Sequence, residues 1–478
     1  MSFPFFSVVY IGILSYIFFK GKKIRKIYYD NVFLLFFFEI INNQGYFIKL
    51  GTQEYTINVI QSYLVCMLSV LFLIIKNDLK SEKRIFFALT VFLSITLISF
   101  IYKGCFPYDG YILPDNLVDM GYSWDSYVAG NSMLYKYKFD LLENLNTYRK
   151  ICIYAFIIYT IKTNMSSDDV YHILNRLIKW GSFIVFYGYI EMILKNVLNM
   201  PMEAYNFNEF IFGASDSTYT WNNATTLADG FYRLQGVTRE PSNYVLSLLI
   251  LGILILISIK YHKLSNLTMS HWHYIELGFI FVMMPLTGGM SSLWCMFSLL
   301  LSYAIININR NINWSKVVKL VLVFVIFGTI FLFIMESGES LLLNRFSIAL
   351  ETLSFIISNP NFLLIEGMDG STLARFTSIF VCFGNWLDNP LLGLGAGITK
   401  AHDFTVTMLV GNGIIGCMAW YYFITATVNG RKQYDHLLLL TIFCIEFFPI
   451  GPGTGWYTYF YFVFLAEVTS LYCKGRNI

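Results

Sequence analysis

Charged residues are scarce in this chain, and their scarcity points to its environment. Asp, Glu, Lys and Arg make up only 13% of the 478 residues, whereas roughly 25% is usual for a soluble domain. Apolar residues make up 56%, and the mean hydropathy is +0.58. So few charges cannot cover a water-exposed surface of this size. The composition therefore excludes an ordinary soluble fold and predicts a protein of the lipid bilayer.

Several chemical motifs are also missing. The sequence contains no P-loop and no D-x-D, which disfavours chemistry driven by ATP or by sugar nucleotides. Its eight cysteines are scattered, mostly inside apolar runs, and form no C-x-x-C pair. The net charge of +3 is small, so nucleic acid is not an expected partner. We expect no metal ion and no cofactor.

Long apolar runs are what the chain has in abundance. A membrane-spanning helix needs about 20 mostly apolar residues, and the sequence contains about 12 to 13 such runs. They lie at 3–19, 28–41, 57–75, 85–101, 150–162, 180–198, 243–260, 274–287, 290–308, 317–335, 405–428, 437–449 and 457–473. The pattern predicts an all-α, polytopic integral membrane protein with one transmembrane domain over residues 1–478.

The connections between these runs alternate in character. Lys and Arg cluster in every second connection, for example at 20–26 and 76–84, and positive connections stay in the cytoplasm. The other connections include two long segments, 199–242 and 336–404, and loops of this length are usually functional or disordered. The stretch 377–387 within the second suits a short helix along the membrane surface, as does 346–357. We therefore expect large outward loops with short helices, and a functional face outside.

His402 is the only one of the six histidines expected on this outer face. It follows the flexible GLGAG segment and precedes Asp403 at the start of an apolar run. A histidine in such a place is often only a cap or an interfacial residue. Imidazole is nevertheless the side chain best suited to accept a proton near neutral pH, and His402 is therefore a candidate base.

Four arginines on the same face are candidates for binding phosphate. The first outward loop contains Arg233 and Arg239, just before Glu240, and the second contains Arg345 and Arg375. A guanidinium group pairs bidentately with phosphate and stays charged. Each one alone is also explained by contact with lipid headgroups or with a carboxylate. If they converge with His402, they form a site for a lipid-linked phosphate whose neighbouring bond is attacked by a hydroxyl group.

Four motifs in order carry a resemblance to a known family. They are RLQGVTREPSNY, LTGGMSSLW, STLARFTSIFVCFGNWLDNPLLGLGAG and AHDFTVTMLVGNGIIG, and together they resemble the O-antigen polymerase and ligase superfamily of bacterial polysaccharide assembly. The resemblance covers roughly residues 180–430. It implies a metal-independent, inverting glycosyltransferase at the outer face of the cytoplasmic membrane, whose donor is an oligosaccharide on undecaprenyl pyrophosphate and whose product is an O-antigen or a capsule.

The resemblance also implies roles for individual residues. Arg233 and Arg375 match the family's outward arginines, His402 matches its histidine, and Glu240 matches an acidic position of the polymerase branch. Either His402 or Glu240 would be the base. The sequence departs from the family in LTGGMSS, which has no arginine, and in the segment 411–413, which lacks the usual acidic residue.

Two alternatives to a polymerase stay open. An O-antigen ligase would transfer the glycan to a lipid A core, but many ligases have His-Asn where this chain has His402-Asp403. A flippase would bind the pyrophosphate without chemistry, but its polar residues should line a path through both leaflets. The crowding of polar candidates on one face favours an enzyme over a flippase. A polymerase would have membrane lipid as its surroundings and a flippase and a chain-length regulator as candidate protein partners.

Overall fold

The computed structural model describes most of the chain up to residue 427. The described residues are 4–21, 23–41, 46–50, 53–76, 83–112, 135–164, 167–212, 232–238, 241–265, 272–287, 290–307, 370–399, 401 and 403–427. The apolar runs predicted at 317–335, 437–449 and 457–473 and the short helix predicted at 346–357 lie outside them.

The described residues are mostly helical. The helices are α1 (Phe5–Lys20), α2 (Ile24–Ile41), α3 (Ile57–Lys76), α4 (Lys83–Cys105), α5 (Leu141–Asn164), α6 (Ser167–Met192), α7 (Pro201–Phe212), α8 (Pro241–Ser265), α9 (Trp272–Leu286), α10 (Met290–Asn307), α11 (Gly370–Asp388) and α12 (Phe404–Thr427). A π-helical turn, Ile193–Val197, follows α6 directly.

Short strands are an addition to the all-α prediction. Strands β1 (Tyr46–Leu50) and β2 (Gln53–Thr56) form an antiparallel hairpin between α2 and α3. Strands β3 (Tyr111–Ile112) and β4 (Tyr135–Lys136) form a second antiparallel pair between α4 and α5. Both pairs lie in connections, where an apolar-run criterion has nothing to detect.

Every predicted run that falls on described residues overlaps a helix, although some helices are longer than their runs. The run 150–162 lies inside α5, which already begins at Leu141, and the run 180–198 lies inside α6 and its π turn. Polar residues at a helix end keep the backbone hydrogen bonds of the helix but do not add to its hydropathy. The surface helix predicted at 377–387 is the second half of α11.

In the described part of the chain, four helices are long and apolar enough to cross a membrane: Ile57–Ile75, Lys83–Cys105, His172–Val197 and Phe404–Phe423. Large apolar side chains on their outer surfaces are exposed, such as Ile74, Phe86 and Phe186. An exposed apolar surface of this extent is rare in soluble monomers and is typical of a lipid-facing surface. The protein is thus mostly helical and has the character of a membrane protein.

Neighbouring helices show which of their ends lie together. Helices α2 and α6 are parallel, because an ion pair of 2.6 Å joins Arg25 and Asp169 near their starts. Helices α4 and α12 are antiparallel, because the hydroxyl of Ser99 donates to the carbonyl of Gly411 at 3.0 Å. Helices α6 and α8 are also antiparallel, since the hydroxyl of Tyr244 donates to the carbonyl of Ile184 at 3.1 Å.

These directions define one end of the bundle, which we call the loop end. There α2, α4, α6 and α9 finish, and α3, α5, α8, α10 and α12 begin. The loop end contains the β1–β2 hairpin, the segment 232–238 and the described residues of 389–403. Basic residues that define the alternate connections, such as Arg25 and Arg176, lie at the opposite end, where each pairs with an aspartate.

Helix α12 is broken at Gly413, whose φ of 67° and ψ of −175° are not helical. The break leaves backbone carbonyl groups without helical partners. The carbonyl of Val410 accepts instead from the N–H of Leu394 at 2.7 Å, and that of Gly411 accepts from the N–H of Gly395 at 2.9 Å. We call residues 389–399 the glycine loop.

The second half of α12 is joined to the same loop. The N–H of Ile414 donates to the carbonyl of Pro390 at 2.8 Å, and the N–H of Ile415 donates to that of Leu391 at 3.3 Å. The glycine loop thus lies in the break and satisfies backbone groups on both sides of it. The break lies inside the candidate membrane span Phe404–Phe423, and in such a span the pairing replaces the lost helical bonds without water.

The substitution Gly413→Ala should destabilise the protein by about 1 to 3 kcal/mol, because φ is positive there. A Cβ atom at this position would also lie 2.1 Å from the carbonyl oxygen of Leu391. The control is Gly384→Ala on α11, where a Cβ atom meets nothing within 4 Å. Thermal unfolding in detergent should show a lower midpoint for the first variant only; equal midpoints would contradict the proposed role of the break.

Candidate functional site

The segment 232–238 is held at the loop end by the helices on either side of it. The side chain of Asn196 accepts from the N–H of Tyr232 at 2.6 Å and donates to its carbonyl at 3.1 Å. The Nε atom of Arg233 donates to the carbonyl of Thr287, just after α9, at 3.0 Å. This bond orients the plane of a half-exposed guanidinium group.

A buried ion pair lies beneath Arg233. The Nζ atom of Lys195 is 2.6 Å from Oε1 of Glu191, and both side chains are almost fully buried. The two carboxylate oxygens of Glu191 accept from the N–H groups of Gly236, at 2.6 Å, and Gln235, at 3.3 Å. The Nζ atom of Lys195 also donates to the carbonyl of Arg233 at 3.3 Å. The pair therefore fixes the backbone around Arg233.

Local backbone geometry makes this arrangement possible. Lys195 lies in the π-helical turn Ile193–Val197, a form that often occurs at functional sites. Gly236 has a φ of +56°, and a Cβ atom there would lie 2.2 Å from the ring of Tyr244. Only glycine fits without strain at this position.

Helix α11 contains Arg375 and packs against α12. On one face of α11, Ile379 and Cys382 pack in a small apolar cluster with Ala401, and Sγ of Cys382 lies 3.6 Å from Oγ1 of Thr399. Arg375 lies one turn before Ile379, so its backbone position is on the same face of the helix. That face packs against the chain that leads to His402.

His402 itself lies outside the described residues, but both of its neighbours are described and buried. The backbone N–H and carbonyl of Ala401 both bond to Oγ1 of Thr407, at 3.0 and 3.1 Å. Oδ1 of Asp403 accepts from the N–H of Val406 at 2.8 Å and caps α12. The chain on either side of His402 is therefore fixed at the first turn of α12.

In the sequence, Asp403 is noticeable only as the residue that follows His402. Its side chain is 5% exposed, and burial raises the pKa of its carboxyl group to about 6, against the effect of bonds from the N–H groups of Val406 and Thr405. Its Oδ2 atom has no hydrogen-bond partner in the described part of the chain. A buried carboxylate with this pKa can exchange a proton near neutral pH.

The other predicted site residues fall outside what the structure describes. Arg239, Glu240 and Arg345 are not among the described residues, and for Arg375 only the backbone is described. Sequence reasoning missed the pair Glu191 and Lys195 as a structural unit, although two opposite charges four residues apart inside an apolar run are a usable signal.

Within the described ranges, no three His, Cys, Asp or Glu side chains are grouped so that they could hold a metal ion. No protein-family model matches this chain, and no curated protein matches it.

Replacing Lys195 by Met should destabilise the protein by about 3 to 5 kcal/mol, because it leaves the carboxylate of Glu191 buried without its cation. The double variant Glu191→Gln with Lys195→Met should recover part of this loss. The control is Lys179→Met, which removes an exposed lysine of the same helix. Chemical unfolding in detergent measures all three; a single variant as stable as the control would contradict the role of the pair.

Protein stability should also depend on the protonation of Asp403. Because the raised pKa favours the protonated form in the folded state, stability should fall by up to about 3 kcal/mol as the pH rises from about 4 to about 6, and should then level off. Asp403→Asn keeps an oxygen that can cap α12 but cannot ionise, so its unfolding midpoint should lack this part of the pH dependence. Identical pH profiles of the two proteins would show that Asp403 is not perturbed.

Proposed function

We propose that this protein is a polymerase of lipid-linked oligosaccharide repeat units. In this proposal about 12 to 13 helices cross the bacterial cytoplasmic membrane, and the loop end faces outward. The donor is a glycan on undecaprenyl pyrophosphate, and the acceptor is a sugar hydroxyl of the next lipid-linked unit. The product is an O-antigen or a capsular polysaccharide, and no metal ion takes part.

The observation that carries the proposal is that segments from two outward connections belong to the same end of the bundle. The segment of Arg233 and the residues on either side of His402 lie at the loop end, and the helix of Arg375 packs against the chain that leads to His402. These segments come from connections far apart in the sequence. A pyrophosphate-binding site with a nearby base requires its groups on one face of the membrane, and this arrangement supports the proposal.

The described groups suit the chemistry of glycosyl transfer. When the bond between the anomeric carbon and the phosphate oxygen breaks, negative charge grows on the pyrophosphate. A guanidinium group oriented in advance, as that of Arg233 is by Thr287, stabilises this charge without reorganisation. His402 or Glu240 removes the proton of the attacking hydroxyl, and the carboxylate of Asp403 is next to His402 in the chain.

The distribution of buried charge favours this proposal over a flippase. Most of the buried acidic and basic side chains in the described residues lie towards the loop end: Glu39, Lys103, Glu191, Lys195 and Asp403. Glu276 lies towards the opposite end, where Ser182 donates to it at 2.8 Å. A transporter needs polar residues along a path through both leaflets, whereas an enzyme that acts on one face needs them on that face.

Deletion of the gene separates the three classes of function. Loss of a polymerase should leave single repeat units on the lipid carrier or the core. Loss of a ligase should leave free polymer that never reaches the core, and loss of a flippase should trap units on the cytoplasmic side. Either of the last two outcomes would contradict the proposal.

Purified protein with lipid-linked repeat units should form polymer in the presence of a chelator. Substitution His402→Ala should lower the rate by about 10² to 10⁴, and Arg233→Ala by about 10² to 10³, with unchanged unfolding midpoints. The control is Arg84→Ala, an exposed arginine at the opposite end, which should keep full activity. A product that retains the donor's anomeric configuration would contradict the single displacement.

A further inference from the structure

Lys103 lies in the last turn of α4, at the loop end, and its side chain is only 5% exposed. Its Nζ atom donates to Oδ1 of Asn389, the first residue of the glycine loop. The same ammonium group lies 5.3 Å from the ring centre of Tyr102 and 6.0 Å from that of Tyr108. A charged group is therefore buried beside the loop that leads to His402.

This charge has no anionic partner in the part of the chain that the structure describes. The described ion pairs do not include Lys103. The nearby carboxylate of Asp388 accepts from the hydroxyl of Tyr108 at 2.7 Å instead. An ammonium group has three N–H donors, and Asn389 takes one of them. Buried charges are normally paired, so the site is short of an anion.

A second donor next to Lys103 also lacks an acceptor. Asn385 is 6% exposed, and among the described residues its Nδ2 atom has no hydrogen-bond partner. The residue is tied to the same place, because Asn389 donates to its backbone carbonyl at 3.2 Å and its Oδ1 atom lies 3.4 Å from the hydroxyl oxygen of Tyr108. Lys103 and Asn385 thus present unused N–H donors around a common neighbour, Asn389.

We propose that Lys103 and Asn385 bind a phosphate group of the polyprenyl pyrophosphate carrier. A buried cation with unused N–H donors and an amide donor without an acceptor call for a ligand that is negatively charged and rich in acceptor oxygens, and phosphate has both properties. The position at the end of a spanning helix matches the depth of a lipid headgroup. This inference rests on the proposed function and adds a binding residue from α4, outside the motifs of residues 180–430.

The test measures equilibrium binding of three lipids to the purified full-length protein in detergent. The probes are undecaprenyl pyrophosphate, undecaprenol, which lacks the anion, and phosphatidylglycerol, which carries an ordinary headgroup phosphate. Lys103→Met removes the charge, Lys103→Arg keeps it, and Lys138→Met is the matched control because Lys138 is an exposed lysine at the same end. Unfolding midpoints confirm that each variant is folded.

Lys103→Met should weaken binding of undecaprenyl pyrophosphate at least about tenfold, as expected for the loss of one charge-assisted hydrogen bond. Binding of undecaprenol should not change, Lys103→Arg should restore most of the affinity, and the control should match the wild type. Wild-type affinity in Lys103→Met would overturn the inference. An equal loss for phosphatidylglycerol would also overturn it, because the site would then bind any lipid phosphate.

If Lys103→Met does not fold, Asn385→Asp decides the question. This substitution keeps the size of the side chain, gives Lys103 a carboxylate partner and repels a phosphate group, so weaker binding of undecaprenyl pyrophosphate is expected and wild-type binding would overturn the inference. A failure of the proposed function looks different, because the wild-type protein would then form no polymer from lipid-linked repeat units, whatever its affinity for undecaprenyl pyrophosphate.

Discussion

The exchange of hydrogen bonds between the glycine loop and the broken helix α12 is the interaction on which the candidate site depends. Gly413 lies inside the candidate membrane span Phe404–Phe423. A break there would be too costly if the backbone carbonyl and N–H groups on either side of Gly413 had no partners. The loop supplies donors to Val410 and Gly411 and acceptors to Ile414 and Ile415. The same pairing fixes where the glycine loop returns towards α12, and hence where the residues flanking His402 lie. One set of backbone bonds therefore positions both the loop and these flanking residues.

Charge at the loop end is held in two different ways. Glu191 and Lys195 neutralise each other and form their remaining hydrogen bonds with the backbone around Arg233. They therefore stabilise the site and do not bind the substrate. Lys103 is buried with one amide partner and no described anion, so it is suited to an incoming ligand. A buried charge that already has its counter-ion supports the structure of the site, whereas a buried charge without a counter-ion is available to bind a ligand.

Much of the helical fold can be predicted from the sequence, because a run of apolar residues is favourable only as a hydrogen-bonded helix in lipid. The starts of α3 and α8 and the end of α2 follow from this rule almost to the residue. The β1–β2 hairpin does not follow from this rule, because its short strands lie in a connection between apolar runs. The break at Gly413 does not follow either, since it depends on partners elsewhere in the chain, Pro390 and Leu394 among them. The roles of Lys103 and Glu191 are not predicted either, because hydropathy records the cost of burying a charge and does not show which group pairs with it.

The place where the lipid-linked substrate binds decides whether the loop end contains the active site, and photo-crosslinking can measure it. The probe is an undecaprenyl pyrophosphate-linked sugar with a diazirine on the first sugar, next to the pyrophosphate, bound to the wild-type protein and analysed by mass spectrometry of its peptides. We predict crosslinks to residues of the loop end, namely the segment 232–238, the last turn of α4 and the chain around 389–403. Unlabelled undecaprenyl pyrophosphate should compete with the probe and abolish these crosslinks. Competed crosslinks confined to the opposite end of the bundle, around Arg25 and Arg176, would contradict it.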